Sequence, residues 1–344
     1  MKRRFASLFI VLIAFGLLTA RARKPAPGTD VARKIPVLYW AQGIETAEAL
    51  EQARIEVIAA PPEKTAAWRK AGFQVLPMSE RDLTRREKLL APRIAGRANV
   101  ASATSRPWID ANGWRFVRKP AGKFQYDLTG ATRRNAALAM AEAFAYRADA
   151  VMKIDPAELA ETGKMMQFLR ELPDKILPSV ADIGVIDDGS EAMGEVLNLL
   201  ARRNLLFTLV PAPSPQYRVN IKFGARLGTK EYPASDAANP SDFARKIRRQ
   251  LGDENRGLRI YGSEVVIGRL TGDGAEARLH LLNYSGNEIE ALRVRVRGAY
   301  AGAEAVAFGF DRQPLRDLVV ADGATEFSVP HLGAYAVVAL PGFK

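Results

Sequence analysis

The sequence predicts an α/β domain that forms a (β/α)8-barrel-like or incomplete barrel, followed by a C-terminal antiparallel β-sandwich. Up to residue 253, short apolar and β-branched runs alternate with helical patterns. That alternation is typical of parallel strands joined by right-handed crossovers. After residue 253, alternating apolar and polar runs are separated by turn sequences with no helix between them, which is typical of an antiparallel sandwich.

The first 22 residues carry the pattern of a secretory signal peptide. Lys2–Arg4 are basic, Leu8–Leu18 form an apolar run, and Ala20–Ala22 fit the small-x-small cleavage pattern. The apolar run is shorter than the roughly 20 residues that a membrane-spanning helix needs. We therefore expect cleavage, a linker over residues 23–34 and export to the periplasm or the extracellular medium. Membrane attachment is expected only through an uncleaved signal.

Composition narrows the classes of function. The chain has no cysteine, which excludes disulfides, thiolate metal ligands and thiol nucleophiles. The formal net charge is +12, and loss of the four basic residues in the signal lowers it to +8. The densest remaining basic cluster is Ala244–Gln250. A nucleic-acid surface requires a stripe of such clusters with aromatic stacking partners, so we expect no nucleic-acid partner, whereas anionic cell-surface polymers fit the charge.

Strand and helix patterns alternate through residues 35–253. The predicted strands are Val37–Ala41, Ile55–Ala60, Gln74–Ser79, Asn99–Thr104, Val151–Asp155, Asp182–Asp187 and Leu205–Val210. With one irregular stretch near Arg115–Leu128, about eight strand candidates precede Leu251, which suits a compact eight-stranded barrel. An alternative stays open: a sub-boundary near residues 173–180 would separate a half barrel from a small flavodoxin-like unit.

Residues 254–344 are assigned to the sandwich. Eight short alternating runs fill this segment, and the turn at Gly272–Gly274 between two of them is a strong hairpin signal.

Three stretches resemble bacterial glycoside hydrolases. Thr325–Leu340 is similar to the terminal strands of their C-terminal β domains, and Ala277–Asn287 is similar to a strand and turn in the same domains. Ile183–Pro211 resembles the α/β unit between barrel and sandwich in β-galactosidase-like enzymes. The resemblance implies an exported carbohydrate-associated protein whose partner is a carbohydrate or a cell-envelope glycan.

Three acidic residues are the candidates for catalysis. Glycoside hydrolysis uses two carboxylates across the scissile bond, and in a barrel they follow the carboxyl ends of strands. Asp110 lies in the aromatic loop Ser105–Phe116, Asp187 follows a predicted strand, and Glu231 lies on a long irregular segment.

Structural explanations compete with this interpretation. Asp187, Asp188 or Ser190 can cap the next helix, and Asp127 can simply end a strand. Asp155 precedes Pro156 and has Glu158 three residues later, which predicts an N-cap with a capping box.

Aromatic and amide side chains are the candidates for substrate binding: Trp108, Trp114, Asn112 and Trp40. The competing explanation makes Asn112-Gly113 a turn and places Trp114 and Phe116 on the buried face of the next strand.

The sequence offers few residues for other kinds of catalysis. The histidines are His280 and His331, both in the predicted sandwich, so a Ser-His-Asp triad is not expected. The chain has no G-x-S-x-G motif and no phosphate-binding glycine loop. We predict no cofactor and no metal. Two hypotheses remain: a glycoside hydrolase or its degenerate descendant, and a non-catalytic glycan-binding or scaffold protein of the envelope.

Overall fold

A computed structural model describes residues 34–95, 108–130, 135–224, 232–301 and 304–342. Along this part of the chain, a parallel sheet with helices is followed by a smaller parallel sheet and then by two antiparallel sheets. The predicted signal peptide, residues 23–33 of the predicted linker and the predicted strand at Asn99–Thr104 lie outside the described residues. None of the described helices is long and apolar enough to cross a membrane.

Eleven strands and nine α-helices precede the sandwich in the described residues. The strands are β1 (Val37–Tyr39), β2 (Val57–Ala60), β3 (Gln74–Pro77), β4 (Glu87–Leu89), β5 (Arg93–Ala95), β6 (Trp108–Asp110), β7 (Lys123–Asp127), β8 (Asp149–Lys153), β9 (Ile183–Val185), β10 (Phe207–Leu209) and β11 (Val219–Ile221). The helices are α1 (Ala47–Gln52), α2 (Thr65–Lys70), α3 (Glu80–Thr84), α4 (Gly113–Arg118), α5 (Ala136–Ala145), α6 (Leu159–Glu171), α7 (Glu191–Arg202), α8 (Ala234–Ala237) and α9 (Pro240–Leu251).

The first sheet is an incomplete barrel. Its six parallel strands lie in the order β3-β2-β1-β8-β7-β4. Chain order therefore runs around the sheet as it does in a (β/α) barrel, but no hydrogen-bonded pairing joins β3 to β4 among the described residues. The incomplete-barrel prediction is confirmed, since the described part of the chain contributes six parallel strands to this sheet.

Helices α1, α2, α5 and α6 cover the outer face of this sheet. Leu38, Ile58 and Met152 point into that layer. The helices contribute large buried side chains to it: Leu50, Trp68, Met140 and Met165. Gly163 in α6 faces the residue that follows α1, because a Cβ at Gly163 would lie 1.9 Å from the carbonyl oxygen of Ala53. The absence of a side chain there sets how closely α6 approaches α1.

Helix α3 lies on the inner face. It begins with a capping box: the Asp82 N–H donates to Ser79 Oγ at 3.2 Å, and the Ser79 N–H donates to Asp82 Oδ2 at 3.0 Å. Leu83, which is 1% exposed, packs against the apolar side chains of the inner face. These are Val37, Tyr39, Ala59 and Val151. One short helix therefore covers the middle of the inner face.

The chain between β4 and β7 forms a small hairpin, β5 and β6, and helix α4. The predicted strand at Trp114–Phe116 is wrong, because both residues lie in α4. Trp114 packs into the core of the second sheet, whereas Phe116 packs into the core of the first, with its ring centre 4.9 Å from that of Phe124. The two aromatic side chains pack into two different cores. Their spacing of two residues therefore does not indicate that they share one face of a strand.

The second sheet has three parallel strands in the order β10-β9-β11. Its core is separate from that of the first sheet and includes α7 and α9. Ser190 caps α7, since its Oγ accepts a hydrogen bond from the Met193 N–H at 3.1 Å. The strands predicted at Asp182–Asp187 and Leu205–Val210 therefore belong to a second α/β unit, the middle unit, and not to the barrel.

Two antiparallel sheets pack face to face after residue 257. Their strands are β12 (Leu258–Ile260), β13 (Val266–Gly272), β14 (Glu276–Asn283), β15 (Ile289–Arg297), β16 (Glu304–Ala307), β17 (Arg312–Pro314), β18 (Arg316–Ala321), β19 (Ala324–Leu332) and β20 (Tyr335–Pro341). The sheet orders are β12-β15-β19-β18 and β13-β14-β20-β16-β17. Leu279, Val294 and Phe327 belong to the core between them. The predicted sandwich and its hairpin are confirmed, with Gly274 at φ +89° in the turn.

Candidate functional site

The inner face of the incomplete barrel is apolar and buried beneath α3, and it is polar and partly exposed on either side of that helix, at β3 and from β8 to β4. Strand register places Gln74 and Leu76 beside the inner-facing residues of β2, and Lys88 beside Gln125. Lys88 is exposed, and Leu76 is 38% exposed. A complete barrel fills this face with packed side chains, and parallel sheets are usually buried on both faces. We call this surface the open inner face and define it by Gln74, Leu76, Lys88, Lys123, Asp127 and Lys153.

A tyrosine, a lysine and a glutamate meet at the carboxyl edge of this face. Lys153 Nζ lies 3.1 Å from Glu80 Oε2 and 5.3 Å from the centre of the Tyr39 ring. The Tyr39 hydroxyl is buried beside the Glu80 carboxylate. Burial, together with the negative charges of Glu80 and Glu63, raises the pKa of Tyr39 to about 12. The cluster therefore holds a neutral phenol beside an ion pair.

Two aspartates end the neighbouring strands β7 and β8. Asp127 Oδ1 accepts a hydrogen bond from the Thr129 hydroxyl at 2.6 Å. Asp155 Oδ2 accepts one from the Gly130 N–H at 2.9 Å, across the gap between the strand ends. Asp155 makes no side-chain cap, so the predicted capping box with Glu158 is wrong. Its carboxylate is used to tie the two strand ends together.

Asp110 and Trp108 lie on strand β6, away from the open inner face. Asp110 pairs with Arg93 of β5, with Oδ2 3.3 Å from Arg93 Nε. Trp108 is half-buried, and the guanidinium carbon of Arg202 lies 3.8 Å above its ring. One side of this indole is therefore covered by an arginine.

Asn112 is fully buried and bonds to a buried glutamate. Its backbone N–H donates to Glu142 Oε1 at 2.6 Å, and its Nδ2 donates to Glu142 Oε2 at 3.0 Å and to the Leu90 carbonyl at 2.9 Å. The hydroxyls of Tyr126 and Tyr284 also donate to Glu142, at 2.7 and 2.6 Å. Tyr284 follows β14, so this network joins the barrel to the sandwich. The Asn112 side chain is occupied and cannot face a ligand.

The sequence did not lead us to predict the hydrogen-bond network around Glu142. Burial raises the pKa of Glu142, while the hydrogen bonds from Tyr284, Asn112 and Tyr126 oppose that rise. A signal for it exists: Glu142 is the single charged residue of α5, whose other residues are alanines and large apolar side chains. A charge in a helix that is apolar all round predicts a buried partner.

Asp187 joins the barrel to the middle unit. It accepts two hydrogen bonds from Arg118 of α4, both at 2.8 Å, and a third from the Gly189 N–H at 3.0 Å. Burial acts to raise the pKa of Asp187, but these donors outweigh it and hold the pKa below its ordinary value. The carboxylate is thus committed to an ion pair between two units.

Two predicted aromatic residues are buried, and one predicted acid is not described. Trp40 is 2% exposed and donates from Nε1 to Thr46 Oγ1 at 2.8 Å. Trp114 is 8% exposed in the middle unit's core, with the Arg115 guanidinium 4.5 Å from its ring centre. Neither indole offers an open face for a sugar. Glu231 lies outside the described residues.

Both histidines lie in the sandwich, away from the open inner face. His280 is buried, with Nδ1 2.6 Å from the Tyr335 hydroxyl, and burial lowers its pKa to about 3. His331 Nδ1 lies 2.6 Å from Glu288 Oε1, and with Glu290 these side chains bring three potential metal-ligand atoms within 4.8 Å. The two glutamates are exposed, and the His331–Glu288 pair accounts for this geometry without an ion.

The fold that these elements form is similar to that of a solved glycoside hydrolase. The described chain resembles α-L-fucosidase isoenzyme 2 from Paenibacillus thiaminolyticus at a TM-score of 0.50, with 10% identity over 86% of this chain and 71% of the fucosidase. β-Galactosidases also match: that of Bacillus circulans sp. alkalophilus has a TM-score of 0.38, 9% identity and coverage of 85% and 61%. That of Rahnella sp. R3 has a TM-score of 0.36, 10% identity and coverage of 66% and 61%. No protein-family model and no curated protein sequence matches the chain. At these identities the likeness concerns the fold alone, and it agrees with the resemblance that the sequence carries.

Proposed function

We propose that this protein is an exported glycan-binding protein with a glycoside-hydrolase-like fold, and that it does not hydrolyse its ligand. The observation that carries the proposal is the open inner face: on either side of the part that α3 covers, polar and charged side chains lie where a complete barrel has a packed interior. Amide, ammonium and carboxylate groups are the donors and acceptors that bind sugar hydroxyls. The predicted signal peptide supports export.

The charge of the open inner face favours an acidic glycan. Lys88 and Lys123 are exposed there and form no ion pair with any described residue. Asp127, the acidic member of the surface, is already hydrogen-bonded to Thr129, and Asp149, which lies beside Lys123 in the register, is ion-paired with Arg86. An acidic polymer such as a uronic-acid glycan would therefore meet uncompensated positive charge.

The described acids support the non-hydrolytic part of the proposal. A two-carboxylate mechanism requires one acid that can give up a proton and a second acid across the same cleft. Asp110 and Asp187 instead form ion pairs with arginines, on β6 and in the middle unit. Asp127 and Asp155 are held by hydrogen bonds at the strand ends.

A glycan panel tests the proposal. We expect the purified chain from residue 23 onward to bind acidic glycans more tightly than neutral ones and to release no reducing ends from either. The double variant Lys88→Ala/Lys123→Ala should weaken acidic-glycan binding by about tenfold, since each lost ionic contact is worth up to about 1 kcal/mol. Lys70→Ala, an exposed lysine of α2 on the outer side, is the matched control.

Two outcomes would contradict the proposal. Turnover of a glycan would show that the protein is an enzyme, and Glu231 would then be the first residue to substitute. Absence of binding across the whole panel would favour the scaffold hypothesis.

A further inference from the structure

A small basic cavity lies where the end of α5, the segment Pro173–Leu177 and strands β13 and β14 meet. Its volume is about 40 Å³. Four basic side chains and one acidic one contribute to its lining: Arg147, Lys175, Arg269, Arg278 and Asp174. A cavity of about 10 to 15 Å³ suffices for one water, so there is room here for a larger group.

Arg269 lines this cavity and also a neighbouring one, which Tyr146 and Ser179 line with it. Its Nη2 donates to Ser179 Oγ at 3.0 Å, and its guanidinium carbon lies 4.5 Å from the centre of the Tyr146 ring. Its Nε is buried and has no hydrogen-bond partner within the described residues. No described carboxylate forms an ion pair with it. A buried donor without a partner costs free energy, and a buried charge without a counter-charge costs more.

The neighbouring groups leave Arg269 without a counter-charge: Asp174 lines the cavity but forms no ion pair with Arg269. Arg278 donates from Nη1 to the carbonyls of Pro173 and Lys175, at 3.1 and 2.9 Å, and pairs with no described carboxylate. His280 also lines the cavity and is neutral, because burial and the two arginines hold its pKa at about 3. Asp273 and Glu276 lie close by, but both are bound to the Lys175 ammonium.

We propose that this cavity binds a small inorganic oxyanion of the sulfate or phosphate type, held by the guanidinium groups of Arg269 and Arg278. Guanidinium groups present fixed N–H donors that match the oxygens of such an anion. The bound anion would complete the hydrogen bonding of Arg269 Nε and neutralise the cluster. It would also join three parts of the chain, because the cavity is lined by the end of the barrel's α5, by the segment Pro173–Leu177 and by strands β13 and β14 of the sandwich.

Equilibrium dialysis with radiolabelled sulfate and, separately, radiolabelled phosphate tests the proposal directly on the full mature chain. We expect one anion per chain, with saturation at low millimolar concentration or below. The two labels distinguish the two anions, and competition with acetate tests for a general carboxylate site. Failure of the wild-type chain to bind either anion saturably would overturn the proposal, whatever the variants do.

Variants then locate the site. Arg269→Gln and Arg278→Gln should each weaken binding at least tenfold, whereas Arg249→Gln, at an exposed arginine of α9, should leave it unchanged. Undiminished binding in both cavity variants would place the anion elsewhere and overturn the assignment.

Thermal unfolding gives a second readout. Sulfate stabilises proteins generally by exclusion from their surface, so the quantity to measure is the difference between chains at equal ionic strength. The wild type and Arg249→Gln should gain several degrees in Tm when low-millimolar sulfate or phosphate replaces chloride, and Arg269→Gln should gain none. An equal gain in all three would contradict the proposal.

Discussion

Glu142 is completely buried, yet its carboxylate accepts four hydrogen bonds, two at each oxygen. The donors come from Asn112, Tyr126 and Tyr284, which lie after β6, on β7 and after β14. No cation pairs with this carboxylate among the described residues, so the donors alone offset the cost of burying it. One side chain therefore fixes the aromatic loop and the sandwich against the barrel.

Glu142→Gln should destabilise the protein. An amide retains one acceptor oxygen but turns an N–H₂ group toward donors, and the Asn112 N–H groups cannot reverse their direction. We expect the free energy of unfolding to fall by about 1–3 kcal/mol, the usual cost of an unsatisfied buried donor, as measured by urea denaturation. Tyr284→Phe should cost about 1 kcal/mol by losing one donor.

Glu161→Gln on α6 is the control, since Glu161 is exposed and forms an ion pair with Lys164 on the surface of the same helix. It should change stability by less than about 0.5 kcal/mol. A Glu142→Gln protein as stable as this control would show that the four hydrogen bonds do not support the fold.

At the scale of single elements, the close approach of α6 to the end of α1 depends on Gly163. Glycine in a helix normally weakens it by about 1 kcal/mol relative to alanine. At this position, however, the methyl group of an alanine would lie 1.9 Å from the Ala53 carbonyl oxygen, which belongs to the backbone. Packing and helix propensity therefore oppose each other, and an overlap of this size decides in favour of glycine.

Gly163→Ala should lower the free energy of unfolding by about 1–3 kcal/mol, the range for overpacked cores, despite the better helix propensity of alanine. Urea denaturation measures the change. Ala160→Gly, at an exposed position of the same helix, is the matched control and should cost about 1 kcal/mol through propensity alone. A Gly163→Ala protein that is more stable than the wild type would mean that α6 moves away from α1 at no cost.

For the molecule as a whole, the barrel and the middle unit are held together through α4. Trp114 inserts into the middle unit's core, and Arg118 forms a two-pronged ion pair with Asp187. The hydrogen bonds from Arg118 and Gly189 hold the pKa of Asp187 below the ordinary value near 3.8. The ion pair therefore stabilises the folded protein above that ordinary pKa, and its contribution is lost as the pH falls through the lowered pKa.

Asp187→Asn should reduce the free energy of unfolding by about 1–2 kcal/mol at neutral pH, as expected for hydrogen bonds to a partly exposed charge. Because asparagine does not titrate, the difference in stability between the wild type and the variant should shrink as the pH falls below about 4. Thermal melts across that range measure it. Asp188→Asn is the neighbouring control, since Asp188 bonds only the Ser190 N–H in its own turn. A gap that stays constant with pH would contradict the assigned ion pair.

The sequence predicts the sandwich better than the barrel for a physical reason. Strands such as β14 and β15 have one core face and show it as alternation, so each can be recognised alone. The barrel strands are mostly short apolar runs, and such a run looks the same whether its neighbour is β4 or a strand of another sheet. Closure of the sheet and the division after residue 173 depend on those pairings, which no local pattern encodes.

The site residues were harder to predict because each candidate side chain in the described part of the chain already makes a structural contact. Asp110 and Asp187 have the residue type and position of catalytic acids, but arginines distant in sequence occupy them. Lys88 and Lys123 of the open inner face belong to no recognisable sequence motif. They become informative only when the register places them on the side of the sheet that a complete barrel would bury.

Helix α4 and the hairpin before it occupy the stretch of chain in which a complete barrel would place two more strands. The same helix places Trp114 in the core of the middle unit, so the segment that replaces those two strands also contacts the next unit. The shorter barrel and its contact with the middle unit therefore depend on the same segment of the chain. If two barrel strands replaced this segment, the middle unit would lose Trp114 from its core. If the middle unit were absent, the Trp114 indole would be exposed to solvent.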